Sequence, residues 1–409
     1  MIPQLLRQQL FRRFWVGQTV SLFGDQVTLI ALPLAAVLVL DAGPAQMGYL
    51  VAAELAPNLL FSLHAGAWID RRGRRREAMI ATDLGRAALI ATIPIAYAAD
   101  ALSMEHLYVV AFLTGTLTVV FSVASASLFT TLVRRDEYVA ASSLLYGSRA
   151  FSFVAGPSVG GALVQVFKAP LALLIDAVSY LVSAAFLASI RPREAETDEA
   201  EGGHVLAGLR YIRQTPPVLA ALGATATITF FNFMFWALFV LFATRALGVE
   251  PGALGLLLGA AAIGGVIGSI VAGGVSRRIG IGPAFVFACI VFPAPLVLVP
   301  LADGSQRVVL AMLFAAEFLS GLGVMILDIT AGSIFAAQIP ERLRARVSGA
   351  YGFVNNGVRP LGSLAGGSLG AWIGLRPTLW IASLGALLGV LWLLPSPLPR
   401  LKELPEAAE

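Results

Sequence analysis

Charge is scarce in this 409-residue chain. Asp, Glu, Lys and Arg make up 13% of it, about half the quarter typical of soluble domains. Cys289 is its sole cysteine, so neither an intrachain disulfide nor a Cys-based metal centre can form. The three histidines, His64, His106 and His204, are too scattered for metal ligation, and no metal or other cofactor is expected. No Gly-x4-Gly-Lys-Ser/Thr loop occurs, which argues against ATP drive within the chain. Gly156-Pro157-Ser158-Val159-Gly160 spells Gly-x-Ser-x-Gly, but that nucleophile elbow needs a strand-to-helix turn, and these residues lie inside an apolar run. No catalytic residue is expected, and the chain does not read as an enzyme.

Apolar residues, by contrast, reach 58%. They fall into runs long enough for lipid, since a spanning helix needs about 20 mainly apolar residues. Twelve such runs are expected, at roughly 14–40, 46–69, 77–99, 107–133, 139–166, 171–190, 217–244, 252–275, 283–302, 307–338, 346–374 and 377–394. The fold class is therefore an all-α membrane protein. The first run follows a basic stretch but is too long for a signal-peptide core, so it reads as an uncleaved span.

The sequence pI near 9.4 comes from topology, not from a nucleic-acid partner. With the N-terminus in the cytoplasm, the inner loops and tails hold 21 of the 28 Lys and Arg residues. Only Lys168, Arg245, Arg307 and Arg376 fall outside, and Arg86, Arg149 and Arg359 lie within spans. That bias follows the positive-inside rule and puts both termini in the cytoplasm of a multi-pass protein; a bacterial inner membrane fits. The partner expected on these grounds is the lipid bilayer, and the chain is expected to act as a monomer.

The longest polar interruption, 191–215, carries Glu194, Glu196, Asp198, Glu199 and Glu201 and reads as a solvated cytoplasmic linker. Its latter part, His204 to Arg213, mixes apolar and basic residues and suits a short helix on the inner surface. The expected domains are a six-helix bundle over 1–190, the linker 191–215, a second six-helix bundle over 216–395 and a cytoplasmic tail over 396–409. Landmarks repeat between the halves. Pro44, Gly48, Arg71 and Arg72 match Pro251, Gly255, Arg277 and Arg278, and Pro157 matches Pro360, at offsets of 203 to 207 residues. Two parallel six-span repeats are one known plan for transporters.

Between the second and third runs stands Gly66-x-x-x-Asp70-Arg71-x-Gly73-Arg74-Arg75. This segment resembles the loop signature of the major facilitator superfamily, and the chain resembles that superfamily over essentially its whole length. The resemblance implies the major facilitator fold, with twelve transmembrane helices in two pseudo-symmetric bundles. It also implies a gate latch in which Asp70 caps a helix starting near Ala345 to Ser348, while Asp136 and Glu137 pair with the arginines. The carboxylate suits a helix N-terminus on electrostatic grounds. The second-half copy has Ser276 in place of the acid.

In the fifth run, Gly147, Gly156, Pro157, Gly160 and Gly161 resemble the antiporter motif of the same superfamily, with Ser152 where a further glycine stands in full motifs. Three stretches, Ala81–Ala87, Ile175–Leu181 and Arg342–Val347, are similar to the branch holding macrolide-efflux proteins and the enterobactin exporter. The resemblance implies proton-coupled antiport of small amphiphilic or hydrophobic molecules by alternating access. Proton-coupled uptake of a small metabolite is the alternative. Drug exporters of other branches carry an arginine inside helix 4, yet the run 107–133 holds no Arg or Lys.

Each ionisable group inside a span costs roughly 2.5–3.5 kcal/mol on insertion scales and so needs a reason. Asp83 and Arg86 are spaced to pair on one helix. Asp176, ahead of Ser179 and Tyr180, reads as a structural hydrogen-bonding acid. Asp25 shares a helical face with Gln18 and Ser21 and is the first choice for proton coupling, because a partly dry cavity lets an acid take up and release a proton. Glu54, Arg149, Glu317, Asp328 and Arg359 are the other coupling candidates, with a Glu54–Arg149 ion pair expected. Gln18, Ser21, Thr225, Thr229, Asn232 and Trp236 are the candidate cavity residues. The phenylalanines around the last four would give a bulky ligand an aromatic wall.

Overall fold

The computed structural model describes residues 4–191 and 205–403; within them the side chains of residues 4, 63, 67, 70, 72, 205–207, 342 and 345 lie outside the described set. Among the described residues every regular element is helical. The first seven α-helices are α1 Gln9–Leu38, α2 Pro44–Arg72, α3 Arg75–Ala98, α4 Met104–Leu132, α5 Tyr138–Phe167, α6 Ala169–Ala188 and α7 Val205–Gln214. The next seven are α8 Pro216–Leu241, α9 Pro251–Ile279, α10 Ile281–Val291, α11 Leu298–Leu301, α12 Gln306–Gln338, α13 Glu341–Ile373 and α14 Leu375–Leu387.

Ten helical segments among the described residues are long and apolar enough to cross a membrane. One of them, Ile281–Leu301, joins α10 to α11 through a break at Pro293 and Pro295, where two backbone donors are missing. The remaining two of the twelve expected runs correspond to α2 and α13, of 29 and 33 residues. Both match the others in length. Large apolar side chains such as Trp372, Val139 and Leu394 face outward (83%, 82% and 71% exposed), as lipid contact requires.

Contacts divide the chain into two compact units. The first comprises Met1–Ala42, Ala53–Gly202 and Glu250–Leu256; the second comprises Gly43–Ala52, Gly203–Val249 and Leu257–Glu409. Each unit thus takes in the first turns of a helix that otherwise belongs to the other. In the second unit Gly48 of α2 lies against Gly367 and Ser363 of α13; in the first, Gly255 of α9 lies against Gly161 and Pro157 of α5. Gly48 and Gly255 are 207 residues apart, and Gly161 and Gly367 are 206 apart, so one close helix approach occurs twice at the repeat offset. Backbones meet there because neither side carries a Cβ.

Short links repeat as well. Gly73 (φ 62°) turns α2 into α3, and Gly280 (φ 92°) turns α9 into α10, again 207 residues on. These left-handed conformations favour glycine. Lys168 (φ 65°) and Gly374 (φ 92°), 206 residues apart, are single-residue links between α5 and α6 and between α13 and α14.

The first unit's inner core gathers Phe14, Ile69, Met79, Phe121, Ala124 and Leu128. In the second unit α7 buries Ile212, beside Leu209 and Tyr211, against Val218, Val347 and Ala350. Its Tyr211 hydroxyl donates to the Gln338 carbonyl at 2.8 Å. The chain after α14 returns to α10, where the amides of Ile281 and Gly282 donate to the carbonyls of Lys402 and Leu401 at 3.2 and 2.8 Å. Two of the donors that a helix N-terminus leaves open are thereby satisfied.

One expectation about the basic loop needs correction. Helix α13 begins at Glu341 behind Pro340, so Ala345 to Ser348 lie inside the helix and offer no N-terminal amides to a cap. Proline at the entry sets the start four residues earlier. The Asp70 side chain expected to supply the cap lies outside the described residues.

Candidate functional site

Asp25 stands in the middle of α1, and the helix is held on two sides at that level. On one side Gly24 fits against Ser179 and Asp176 of α6. On the other, a Cβ on Gly156 of α5 would come within 2.7 Å of Gln26 Cγ, and one on Gly160 within 3.1 Å of Val27 Cα. The Gly-Pro-x-x-Gly-Gly segment thus seats α5 directly beside Asp25. Its Gly161 serves the contact with α9, whereas Gly147 faces open space.

Around Asp25 lies a polar network drawn from α1, α3 and α6. The Tyr180 hydroxyl donates to Asp25 Oδ1 at 2.6 Å. Thr28, one turn along α1, donates to Asp176 Oδ2, whose Oδ1 accepts from Ser179 at 3.0 Å. Two rungs therefore tie α1 to α6. Arg86 of α3 forms an ion pair with Asp83 of the same helix. Its guanidinium is sandwiched between the rings of Tyr180 (4.2 Å) and Phe121 (4.3 Å). Asp83, Arg86, Asp176 and Tyr180 are each no more than 2% exposed. The buried arginine thus pairs directly with Asp83 and reaches Asp25 through Tyr180.

The sequence pattern anticipates the Asp83–Arg86 pair and the hydrogen-bonding role of Asp176. It does not name Tyr180 and Thr28 as parts of the Asp25 environment. Their spacing carries a signal all the same: Asp176, Ser179 and Tyr180 follow the i, i+3, i+4 pattern that puts them on one face of α6.

The other candidates distribute as follows. Gln18 Nε2 donates to Ser125 of α4 at 2.6 Å, and Ser21 is buried. Glu54 and Arg149 are both exposed, and the expected ion pair between them is not formed. The Arg149 guanidinium instead lies 5.7 Å from the ring of Phe153, one turn along its own helix, a placement that local geometry favours over reaching across helices. In the second unit Glu317 is 1% exposed, and its Oε1 has no hydrogen-bond partner among the described residues. Asp328 of α12 and Arg359 of α13 lie within electrostatic reach of each other, and Arg359 sits 5.3 Å from the Phe233 ring centroid.

Two of the α8 residues expected in a cavity are engaged with α13. Thr225 accepts from the Tyr351 hydroxyl at 3.0 Å, and Thr229 donates to Asn355 Oδ1 at 3.3 Å. Asn232 Nδ2 lacks a hydrogen-bond partner among the described residues. Trp236 packs edge-on to Phe235 and Phe239.

In the basic loop, Arg74 pairs with Glu77 at 3.3 Å, and Arg76 donates to the carbonyls of Leu187 and Ala188. Asp136 pairs with Arg134 at 3.2 Å, and Glu137 accepts from Gln8 at 2.8 Å. Arg71 is exposed, and Gly66 has no neighbour near its Cβ position. No group of three or more metal-ligating side chains occurs among the described residues.

The pattern of the Major Facilitator Superfamily matches residues 14–356 and 222–409, which together take in nearly the whole chain. The chain belongs to this superfamily. It is 27% identical to the multidrug efflux pump Tap of Mycolicibacterium fortuitum, over 94% of this chain and 95% of that one. The MFS-type transporter YfiS of Bacillus subtilis is 24% identical, over 91% and 89% of the two chains. Among solved structures, the nucleoside transporter NupG superposes with a TM-score of 0.74 at 12% identity, covering 93% of this chain and 97% of that one. A bacterial homologue of the iron transporter ferroportin, in its inward-facing state, gives 0.75 at 16%, covering 96% and 99%. These likenesses carry the fold. A superfamily member with many apolar helices is a multi-pass membrane transporter.

Proposed function

We propose that this transporter exports small, amphiphilic or hydrophobic molecules across the inner membrane in exchange for protons entering the cell. The observation that carries the reading is Asp25: an acid in mid-helix, bridged to α6 and flanked by the glycines of the antiporter-like segment. An acid so placed suits proton uptake, because an ionisable group inside a span is costly and calls for a reason. The likeness to a multidrug efflux pump along nearly the full chain supports the direction of transport. Asp25 carries the proton; Glu54, Glu317 and Asp328 are the acids to which the role would pass only if Asp25→Asn left transport unchanged.

Twelve spans in two six-helix bundles, with both termini in the cytoplasm, would rock around a midplane site to give alternating access. Each inward charge contributes about 2.3 kcal/mol per 100 mV. Asn232, Trp236 and the neighbouring phenylalanines supply apolar surface with sparse polar groups, which suits such ligands.

The test is transport by purified protein in liposomes under an imposed pH gradient, against a panel of drugs, macrolides, siderophores and nucleosides. Accumulation against a concentration gradient with protons moving the opposite way supports the reading. Substrate moving in the same direction as protons would replace it with uptake by symport.

A further inference from the structure

A single buried arginine in the first unit pairs with Asp83, and one tyrosine joins that arginine to Asp25. Tyr180 uses both its chemical ends. Its hydroxyl donates to Asp25, and its ring face receives the Arg86 guanidinium. The arginine is fixed from two further directions, by the ion pair with Asp83 and by the Phe121 ring. Asp25, Tyr180, Arg86 and Asp83 thus form a continuous chain across α1, α6 and α3.

We propose that Tyr180 and Arg86 are positioning residues that set the proton affinity of Asp25. This inference rests on the reading of Asp25 as the coupling acid. A cation over a phenol ring draws electron density from it and makes the hydroxyl a stronger donor. That donor stabilises the ionised carboxylate, and a charge-assisted hydrogen bond is the stronger kind. Arg86 therefore favours proton release from Asp25 twice, through its own field and through Tyr180. Holding the arginine in an aromatic sandwich keeps it from closing directly on Asp25, which would leave the acid permanently ionised.

Other charged groups also face Asp25, and all must stay constant in a test. Asp176 on α6, Asp83 on α3, Glu54 on α2 and Arg149 on α5 all interact with it electrostatically.

Infrared titration of the protonated-carboxyl band tests this without a substrate. Protein in lipid vesicles is titrated, and the wild-type minus Asp25→Asn difference isolates Asp25. Tyr180→Phe removes one hydroxyl and keeps the ring; it is expected to move the Asp25 midpoint to higher pH by about one unit, roughly tenfold in proton affinity. Arg86→Gln is expected to shift it further in the same direction, and Arg86→Lys to restore part of the shift. A folded Tyr180→Phe protein with an unmoved Asp25 midpoint overturns the inference alone. Absence of any titrating carboxyl in the wild-type minus Asp25→Asn difference overturns both this inference and the proposed coupling role. If Arg86→Gln fails to fold, Tyr180→Phe decides by itself.

Discussion

The two compact units share a backbone plan and differ in their chemistry. Both contain a glycine-on-glycine helix approach and a left-handed link at matching repeat positions. The first unit then links Asp25, Tyr180, Arg86 and Asp83 in a chain of contacts, with Asp176 bonded beside it to Thr28 and Ser179. The second holds Glu317 with an oxygen unpartnered among the described residues, and a neutral seam of Thr225, Thr229, Tyr351 and Asn355. A duplicated chain can keep what helix packing demands while its ionisable side chains diverge, because backbone approach depends on small residues at a few positions. On the proposed reading, proton handling belongs to the first unit.

Neutralising the buried acid of the second unit is the strongest way to break this contrast. Glu317→Gln replaces a buried acid with a neutral group of the same shape, and gradient-driven transport should persist at near wild-type rate in vesicles. Loss of coupling in that variant, with the protein still folded, would move the proton site to the second unit.

Stability should be asymmetric too. Arg86→Ala leaves Asp83 buried without its cation and is expected to cost about 3–5 kcal/mol. Thermal unfolding in detergent measures it, and the double variant Arg86→Met with Asp83→Leu should recover much of the loss.

The glycine contacts predict symmetry instead. Gly161→Leu and Gly367→Leu each force a side chain between touching backbones, and each is expected to cost about 1–3 kcal/mol by the same unfolding assay. Markedly unequal losses would show that only one of the two contacts is retained for packing. Smaller still, Thr229→Val removes one hydroxyl from the α8–α13 seam and should cost about 1 kcal/mol. At the bottom of the scale, Arg74→Ala opens an exposed pair with Glu77 and should cost less than about 1 kcal/mol.

How much the sequence disclosed depended on the range of the interaction. Span positions and the repeat came from apolar run length and from Gly, Pro and Arg landmarks, all of which are local signals; the acidic part of the expected linker lies outside the described residues. The Asp83–Arg86 pair was readable for the same reason, being three residues apart on one helix. Asp25 stands out as a charge out of place, but its partner Tyr180 is 155 residues away, and no periodicity reports a contact between helices. The expected Glu54–Arg149 pair failed on the same ground: charge complementarity named two residues without their separation in space. The start of α13 escaped because Pro340 and Glu341 extend a helix beyond the apolar run that marked it.

The most direct test of the central claim compares wild-type and Asp25→Asn protein in vesicles with an imposed pH gradient. Wild-type protein should drive a substrate uphill, while the variant should equilibrate the same substrate without responding to the gradient. Undiminished uphill transport by a folded Asp25→Asn protein would contradict the assignment of the proton to α1.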